Sequence, residues 1–296
     1  MNGIINIYKE AGFTSFDVVA KMRGILKIKK IGHTGTLDPD ATGVLPVCIG
    51  NGTKLVELLA DHDKEYIAEL MLGVATDTQD MSGTILKEHA VDVTKEEVES
   101  TILSFVGDYM QVPPMYSALK VNGKKLYELA REGKEVERKA RKVTFHEIEI
   151  LSMELPIVKI RVVCSKGTYI RTLCNDIGEK LGCYGAMKSL MRTRVGAFDI
   201  KDAITLNELE AYRDAGTVET FVISPDKVFE HLPAVYAKPE FCKMLDNGNT
   251  LYPNMLLQPK YLHDKEQVRM YGNDRFYGIF EYVAEDHRLK PYKMFL

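Results

Sequence analysis

The 296-residue sequence lacks the features that mark disulfide-rich, zinc-ribbon or membrane-spanning proteins. Its five cysteines, at positions 48, 164, 174, 183 and 242, are odd in number and scattered, with no C-x-x-C pair. Reduced thiols of this kind are typical of a cytoplasmic protein. No run of 18 apolar residues is present, and the start, MNGIINIYKEAG, has no basic leader before an apolar block. We therefore expect a cytoplasmic protein with neither a membrane span nor a signal peptide.

A strong charge of one sign is also missing. The formal net charge is -3, so the composition gives no sign of a nucleic-acid partner, and any such binding has to come from local patches. Hydrophobic residues make up 45% of the chain, which is enough for a sizeable core, and the length fits one or two domains.

Alternating and helical hydrophobic patterns follow one another irregularly along the chain. GIINIYK, EYIAELMLG and VKIRVVC read as strands, whereas the segments after Thr14, after Thr94 and from Ile170 to Leu181 have helical spacing. This order predicts an α+β fold with a mainly antiparallel mixed sheet flanked by helices. A boundary is expected near EHLPAVYAKPE, which divides the chain into residues 1–232 and a small β-rich domain, residues 233–296.

The stretch GHTGTLDPDATG, from Gly32 to Gly43, is the first candidate for a functional site. Glycines allow the backbone to approach a ligand closely, and Pro39 keeps Asp38 out of the helical region. A carboxylate on such a turn suits a nucleophile or a general base. On spacing alone, however, Asp-Pro is also common in loops that only connect two elements.

Two other motifs overlap this stretch. An EF-hand would require Glu where the sequence has Ile49, so a calcium site is not expected, and no other metal site is evident. Asp38, Asp40 and Thr42 also fit the D-x-D-x-T nucleophile motif of haloacid-dehalogenase-type phosphatases. IGHTGTL is not the strongly apolar strand that this motif should follow, and the chain contains no Asp-Asp pair. A magnesium-dependent phosphatase stays open as a rival.

The segment 119–142, LKVNGKKLYELAREGKEVERKARK, is basic within an acidic protein. It contains nine Lys and Arg residues and four Glu. A solvated helix with i,i+4 pairs explains its first half. Its second half is better explained by contacts to phosphates. The candidate RNA-backbone residues are Lys124, Lys125, Arg138, Lys139, Arg141 and Lys142.

Longer motifs carry a resemblance over nearly all of the chain. GHTGTLDPDATGVLP, KEYIAELMLGVATDTQDMSG, VPPMYSALKVNGKKLYELAREG and CSKGTYIRTLCNDIGEKLG resemble, in the expected order, the motifs of the TruB-type tRNA pseudouridine synthases. The C-terminal YAKPE and YGNDRFYGIFEY are more loosely similar to a PUA-like RNA-binding domain. The resemblance implies the pseudouridine synthase fold and a tRNA partner.

The resemblance also implies roles for individual residues. Asp38 matches the catalytic aspartate, and Arg171 is expected to pair with it and keep it ionised. The remaining matches are expected to bind the substrate: His33 and Tyr66 place and stack the flipped nucleotide, Asp80 and Tyr169 line the pocket, and Lys54 lies near the RNA backbone. Position 40 departs from the pattern, because many relatives have an apolar residue where this chain has Asp40.

The implied reaction is the isomerisation of uridine to pseudouridine at the conventional position 55 in the TΨC loop of tRNA. It needs no cofactor, since it involves no redox change and no second reactant. Archaeal and eukaryotic relatives act in guide-RNA particles and carry extensions, so the bacterial stand-alone form, here a monomer, fits this chain. An RNA chaperone of the same fold without catalytic activity remains the alternative, although Asp38, Tyr66 and Arg171 are all present.

Overall fold

A computed structural model describes residues 1–121, 123–258 and 260–296. The strands are β1 (Gly3–Lys9), β2 (Ile31–His33), β3 (Thr42–Ile49), β4 (Lys64–Leu72), β5 (Val74–Thr76), β6 (Ile85–Glu88), β7 (Gly107–Gln111), β8 (Lys120–Val121), β9 (Lys124–Lys125), β10 (Arg141–Glu154), β11 (Ile157–Cys164), β12 (Gly185–Val195), β13 (Phe198–Asp199), β14 (Ala234–Tyr236), β15 (Gln267–Gly272), β16 (Arg275–Val283) and β17 (Arg288–Met294). The α-helices are α1 (Ser15–Leu26), α2 (Val56–Ala60), α3 (Lys95–Leu103), α4 (Leu126–Arg131), α5 (Ile170–Lys180), α6 (Leu206–Asp214), α7 (Pro225–Val228) and α8 (Cys242–Asp246). In these ranges no helix is both long and apolar enough to cross a bilayer.

The expected α+β fold with a mainly antiparallel sheet is confirmed. Seven strands lie in the order β1-β3-β12-β4-β11-β10-β7, with β2 added to β3 and β13 to β12. Every pairing in this sheet is antiparallel except the short contact of β12 with β3. Side chains of β4 and β11 alternate between buried and half-buried positions, as the sequence pattern predicts for strands covered on one face.

Helices begin where the sequence provides capping side chains. Thr14 with Asp17 and Thr94 with Glu97 form complete capping boxes at α1 and α3, which satisfies backbone N–H groups of the first turn. The apolar faces of α3 and α5 join one core with the sheet, and those of α1 and α6 join a second core. The predicted helix after β11 is α5, and it is followed by Gly182 with positive φ.

The β-rich C-terminal region forms its own four-stranded sheet, in the order β14-β15-β16-β17. It has a separate core, but it also packs against the large sheet. Phe295 and Ile279 lie in one apolar cluster with Phe229 and residues of β1 and β3. The Lys54 ammonium adds a polar link, because it donates to the backbone carbonyls of Met294 at 3.0 Å and Leu296 at 3.4 Å.

The end of the glycine-rich stretch runs unusually close to β12. Gly43 pairs with Arg192 in the parallel contact and has φ of +103°. A Cβ at this position would overlap the carbonyl oxygen of Arg192. Only glycine therefore allows the chain to pass from the loop into β3 at this distance from β12.

Gly43→Ala should lower the free energy of unfolding by roughly 2–4 kcal/mol, because it combines unfavourable backbone geometry with a clash against main-chain atoms. The matched control is Gly216→Ala, since Gly216 also has positive φ but a Cβ there meets nothing within 4 Å. Its loss should be about 1–2 kcal/mol. Urea denaturation of both variants measures the difference, and equal losses would contradict the close approach.

Candidate active site

Asp38 lies in the connection between β2 and β3, and its neighbours on both sides are fixed. Leu37 is buried in the main core, and its backbone N–H donates to Ser15 Oγ at 2.9 Å. On the other side, the buried Lys9 ammonium donates to the Pro39 carbonyl at 2.9 Å. The loop is therefore anchored on both sides of Asp38, by α1 and by β1.

Arg171, in the first turn of α5, is the main partner of Asp38. Its Nε lies 3.0 Å from Asp38 Oδ2, and its Nη2 donates to Oδ1 at 3.3 Å. The same guanidinium donates to the carbonyls of Thr78 at 3.0 Å and Tyr116 at 2.9 Å, and its Nη1 lies 3.5 Å from Asp80 Oδ2. With only 6% of its side chain exposed, Arg171 joins four segments that are distant in sequence.

The environment of Asp38 changes its acidity in a way that the sequence did not predict. Desolvation is the largest effect and raises the pKa of the Asp38 carboxyl, whereas Arg171 lowers it and Asp80 raises it again. Although 37% of the side chain is exposed, the net direction is upward. The expected ion pair is present, but it offsets the desolvation only partly. A carboxylate whose pKa is raised is a stronger base than an ordinary one.

Asp80 is held by its own turn. Its Oδ1 accepts hydrogen bonds from the Thr78 hydroxyl at 2.7 Å and from the backbone N–H of Ser82 at 3.1 Å. Its Oδ2 faces Arg171. The structure thus brings Asp80 into the same charged group as Asp38, as a second carboxylate beside one arginine.

Tyr66 is near this group, and His33 ends β2 at the start of the loop that carries Asp38. Tyr66 is buried on β4, and burial raises the pKa of its hydroxyl, with smaller effects from Arg192 and Asp38. Burial likewise lowers the pKa of His33, which favours the neutral ring. The buried Nδ1 of His33 has no hydrogen-bond partner within the described part of the chain. A buried polar atom of this kind is the type of group that a bound ligand satisfies.

Tyr169 is positioned through its main chain by a residue that the sequence analysis missed. The buried amide of Gln111, at the end of β7, accepts from the Tyr169 N–H at 2.8 Å and donates to the Tyr169 carbonyl at 3.0 Å. These two bonds fix the residue that precedes α5. The only signal in the sequence was a polar side chain at the end of a short strand, which does not reveal its partner.

Arg192 was also missed. It is among the largest fully buried side chains of the protein, and it lies opposite Tyr66 in the pairing of β12 with β4. The sequence pattern around it, KSLMRTRVG, reads as an ordinary strand with exposed basic residues. Nothing in that pattern distinguishes buried Arg192 from its more exposed neighbour Arg194.

The remaining predicted residues have varied surroundings. Lys54 contacts the C-terminal carbonyls described above, so its ammonium is shared with a structural link. Among the described residues of the basic segment, Leu126–Arg131 is α-helical, and residues 134–140 before β10 form no regular element. Arg138 is half-buried against Pro113, and Lys142 pairs with Asp108. Lys124 faces Glu132, and Lys125 donates to the Tyr127 hydroxyl. The side chains of Lys139 and Arg141 are exposed.

The sequence around this site matches models of a known protein family. Residues 23–170 match the N-terminal domain of TruB family pseudouridylate synthases, and residues 171–228 match the tRNA pseudouridylate synthase B C-terminal domain. The chain belongs to the TruB family of pseudouridylate synthases. Among curated members, the tRNA pseudouridine synthase B of Lachnoclostridium phytofermentans is 53% identical, with all of both chains covered. That of Alkaliphilus oremlandii is 47% identical over 99% of this chain and 97% of its own length.

Solved structures share the fold of this pseudouridylate synthase. A chain of a Cbf5-Nop10-Gar1 complex is 28% identical with a TM-score of 0.73, and a chain of an H/ACA RNP bound to a substrate RNA containing 2'-deoxyuridine is 26% identical with a TM-score of 0.72. In each case 99% of this chain and 85% of that chain are covered. The pseudouridine synthase fold predicted from the motifs is therefore confirmed.

We expect Asp38 to titrate above the ordinary aspartate pKa of about 3.9, because desolvation outweighs Arg171. Arg171→Lys should raise this pKa further, since lysine cannot contact both oxygens and the two carbonyls together. The folded chain then binds this proton more tightly than the unfolded chain, so this carboxyl's contribution to stability falls as pH rises between the two pKa values.

Carboxyl ¹³C NMR of aspartate-labelled protein measures the titration, with Asp38→Asn for assignment. The control is Arg194→Lys, which changes an arginine that pairs with Glu65 instead and should leave the Asp38 titration unchanged. A pKa of Asp38 at or below the ordinary value would contradict the expected direction.

Proposed function

We propose that this chain converts uridine to pseudouridine at position 55 in the TΨC loop of tRNA, as a stand-alone monomer in the bacterial cytoplasm. The observation that carries the proposal is the fixed Asp38 carboxylate, paired with buried Arg171 at 3.0 Å, in a member of the TruB family. The curated relatives are named tRNA pseudouridine synthase B, which supports tRNA as the substrate.

The reaction breaks the bond between ribose C1′ and uracil N1 and joins C1′ to C5, while the C5 hydrogen leaves as a proton and N1 takes up a proton. An ionised carboxylate can start it by attacking C1′, by attacking C6 of the ring, or by abstracting a ribose proton. Each route requires Asp38 to be ionised and close to the flipped nucleotide. Arg171 meets both requirements, since it opposes protonation and fixes both carboxylate oxygens.

A uridine inside a folded tRNA loop has to be flipped out to reach Asp38. We assign the stacking of the uracil to Tyr66, which could contribute about 1–3 kcal/mol. We assign the placement of the nucleotide to His33 and Tyr169, and the alignment of Arg171 to Asp80. Lys54 uses two of its three ammonium donors on backbone carbonyls, and we assign the third to an RNA phosphate.

The two rival interpretations are not favoured. A D-x-D-x-T phosphatase would have Asp38 directly after a buried strand, but β2 ends at His33 and Asp38 follows within a loop. An RNA chaperone would not need a buried arginine that holds one carboxylate in place. Full-length similarity to curated pseudouridine synthases also argues for the enzyme.

Asp38→Asn should abolish turnover and leave the affinity for tRNA within about threefold, because it removes charge without changing shape. Release of tritium from [5-³H]uridine-labelled tRNA measures turnover, since the C5 hydrogen must enter water once per reaction. The matched control is Asp40→Asn, which neutralises an exposed aspartate two residues away and should retain activity. Retention of more than a few per cent activity by Asp38→Asn would overturn the assignment of Asp38. A wild-type protein that binds tRNA but releases no tritium would overturn the enzymatic function itself.

We also propose that the basic segment, residues 119–142, follows the RNA backbone. Arg141 lies close enough to Tyr169 for its charge to lower the pKa of that hydroxyl, whose net pKa is raised by burial. Arg141 is also the partner of Gln111 in the pairing of β10 with β7, and Gln111 binds the main chain of Tyr169, so the end of the segment lies next to the pocket. Lys139 and Arg141 are exposed at the point where β10 begins.

Lys139→Glu combined with Arg141→Glu should weaken tRNA binding and make it less sensitive to salt. Each lost phosphate contact should reduce the slope of log affinity against log salt concentration by roughly 0.7–0.9. Lys95→Glu combined with Lys201→Glu makes the same charge change at exposed residues outside the segment. Filter binding at several salt concentrations compares the two double variants. Identical slopes would mean that the segment is a solvated surface without phosphate contacts.

Residues 233–296 are proposed to form a PUA-like RNA-binding domain, with residues 1–232 as the catalytic domain. Four tyrosines among the described residues of this region are exposed, and Tyr261 is 83% exposed. Exposed aromatic rings are suited to stacking on unpaired bases. The four are Tyr236, Tyr252, Tyr261 and Tyr292.

A further inference from the structure

Arg192 is a buried cation that the proposed roles leave unused. Its side chain is in the interior of the protein, at 1% residue exposure. No carboxylate of the described residues lies within 4.0 Å of its guanidinium nitrogens. Buried charges are normally paired, because removing an ion from water is unfavourable. A buried arginine without an acidic partner therefore calls for a role other than stability.

The hydrogen bonds of Arg192 go to the loop that carries Asp38 and to the strand that follows it. Its Nη2 donates to the Gly35 carbonyl at 3.2 Å, before Asp38, and its Nε donates to the Val44 carbonyl at 2.7 Å, after it. One planar guanidinium thus fixes the distance between Gly35, on one side of Asp38, and Val44, on the other. Lysine has no such fork of donors.

Arg192 also lies against the other side of the pocket. It is the direct partner of Tyr66 in the β12–β4 pairing, where opposite side chains are about 5 Å apart at Cβ. It is the partner of Gly43 in the β12–β3 pairing. The residue therefore stands between the strand that presents Tyr66 and the loop that presents Asp38.

We propose that Arg192 is a positioning residue of the active site, which sets the separation of the Asp38 loop from Tyr66. The inference rests on the proposed function, because it concerns the placement of the nucleotide between these two groups. An error of about 1 Å in such placement can reduce a rate roughly 100-fold. Binding of the tRNA outside the pocket does not depend on it.

The charge of Arg192 is consistent with this position. It opposes the effect of burial on the pKa of Tyr66, and it adds to burial in lowering the pKa of His33. Both residues are assigned to the nucleotide. Arg192 therefore influences the two sides of the pocket electrostatically as well as through hydrogen bonds.

Arg192→Met tests the proposal because it removes the guanidinium and keeps most of the apolar stem. We expect the single-turnover rate of tritium release at saturating tRNA to fall about 100-fold, with tRNA affinity within about threefold of wild type. Arg192→Lys should recover at least about tenfold of this loss, because one backbone carbonyl regains a donor. The matched control is Arg194→Met, two residues along the same strand, where the rate should stay within about threefold.

Failure of the proposed function and failure of the role of Arg192 give different outcomes. No tritium release from wild-type protein would refute the proposed function, whereas normal release by Arg192→Met would refute only the role of Arg192. A parallel loss of rate and affinity in Arg192→Met would also refute it. If Arg192→Met does not fold, Arg192→Lys decides: about a tenfold loss of rate with unchanged affinity supports the role, and a rate within about threefold of wild type overturns it.

Discussion

The bidentate contact between Arg171 and Asp38 is the interaction on which the arrangement of the pocket depends. The loop with Asp38, the turn with Asp80 and the segment with Tyr116 come from distant parts of the chain, and one guanidinium at the start of α5 contacts all three. Removing it would leave two carboxylates and two backbone carbonyls without their common donor. Such a buried network is favourable only when every member is satisfied.

The contacts that hold the Asp38 loop and the contacts that hold the start of α5 come from different parts of the fold. Lys9 and Ser15 hold the loop from β1 and α1, whereas Gln111 fixes the residue before α5 from the edge strand β7. The geometry of the candidate site is therefore determined by the sheet and its flanking helices rather than by the loop's own sequence. This explains how a glycine-rich segment can carry a well-placed carboxylate.

Local features were predictable from the sequence, and long-range ones were not. Capping residues and hydrophobic periods located α1, α3 and β4, because these signals depend on neighbours along the chain. The pair of Asp38 with Arg171 was reached through the motifs, not through spacing, since 133 residues separate them. Gln111 and Arg192 were missed because burial and partner choice depend on strand order. The raised pKa of Asp38 was missed for the same reason, as desolvation is a property of the assembled pocket.

The packing of Phe295 and Ile279 on Phe229, together with the Lys54 link, has a geometric consequence for substrate choice. The C-terminal sheet cannot turn about the chain near residue 233 without exposing this apolar cluster to water. Its position relative to Asp38 is thus set within the protein. Under the RNA-binding role proposed for residues 233–296, an RNA that touches both regions has to match a preset span, and the length of the RNA between the two contacts is then a selection criterion that is independent of base sequence.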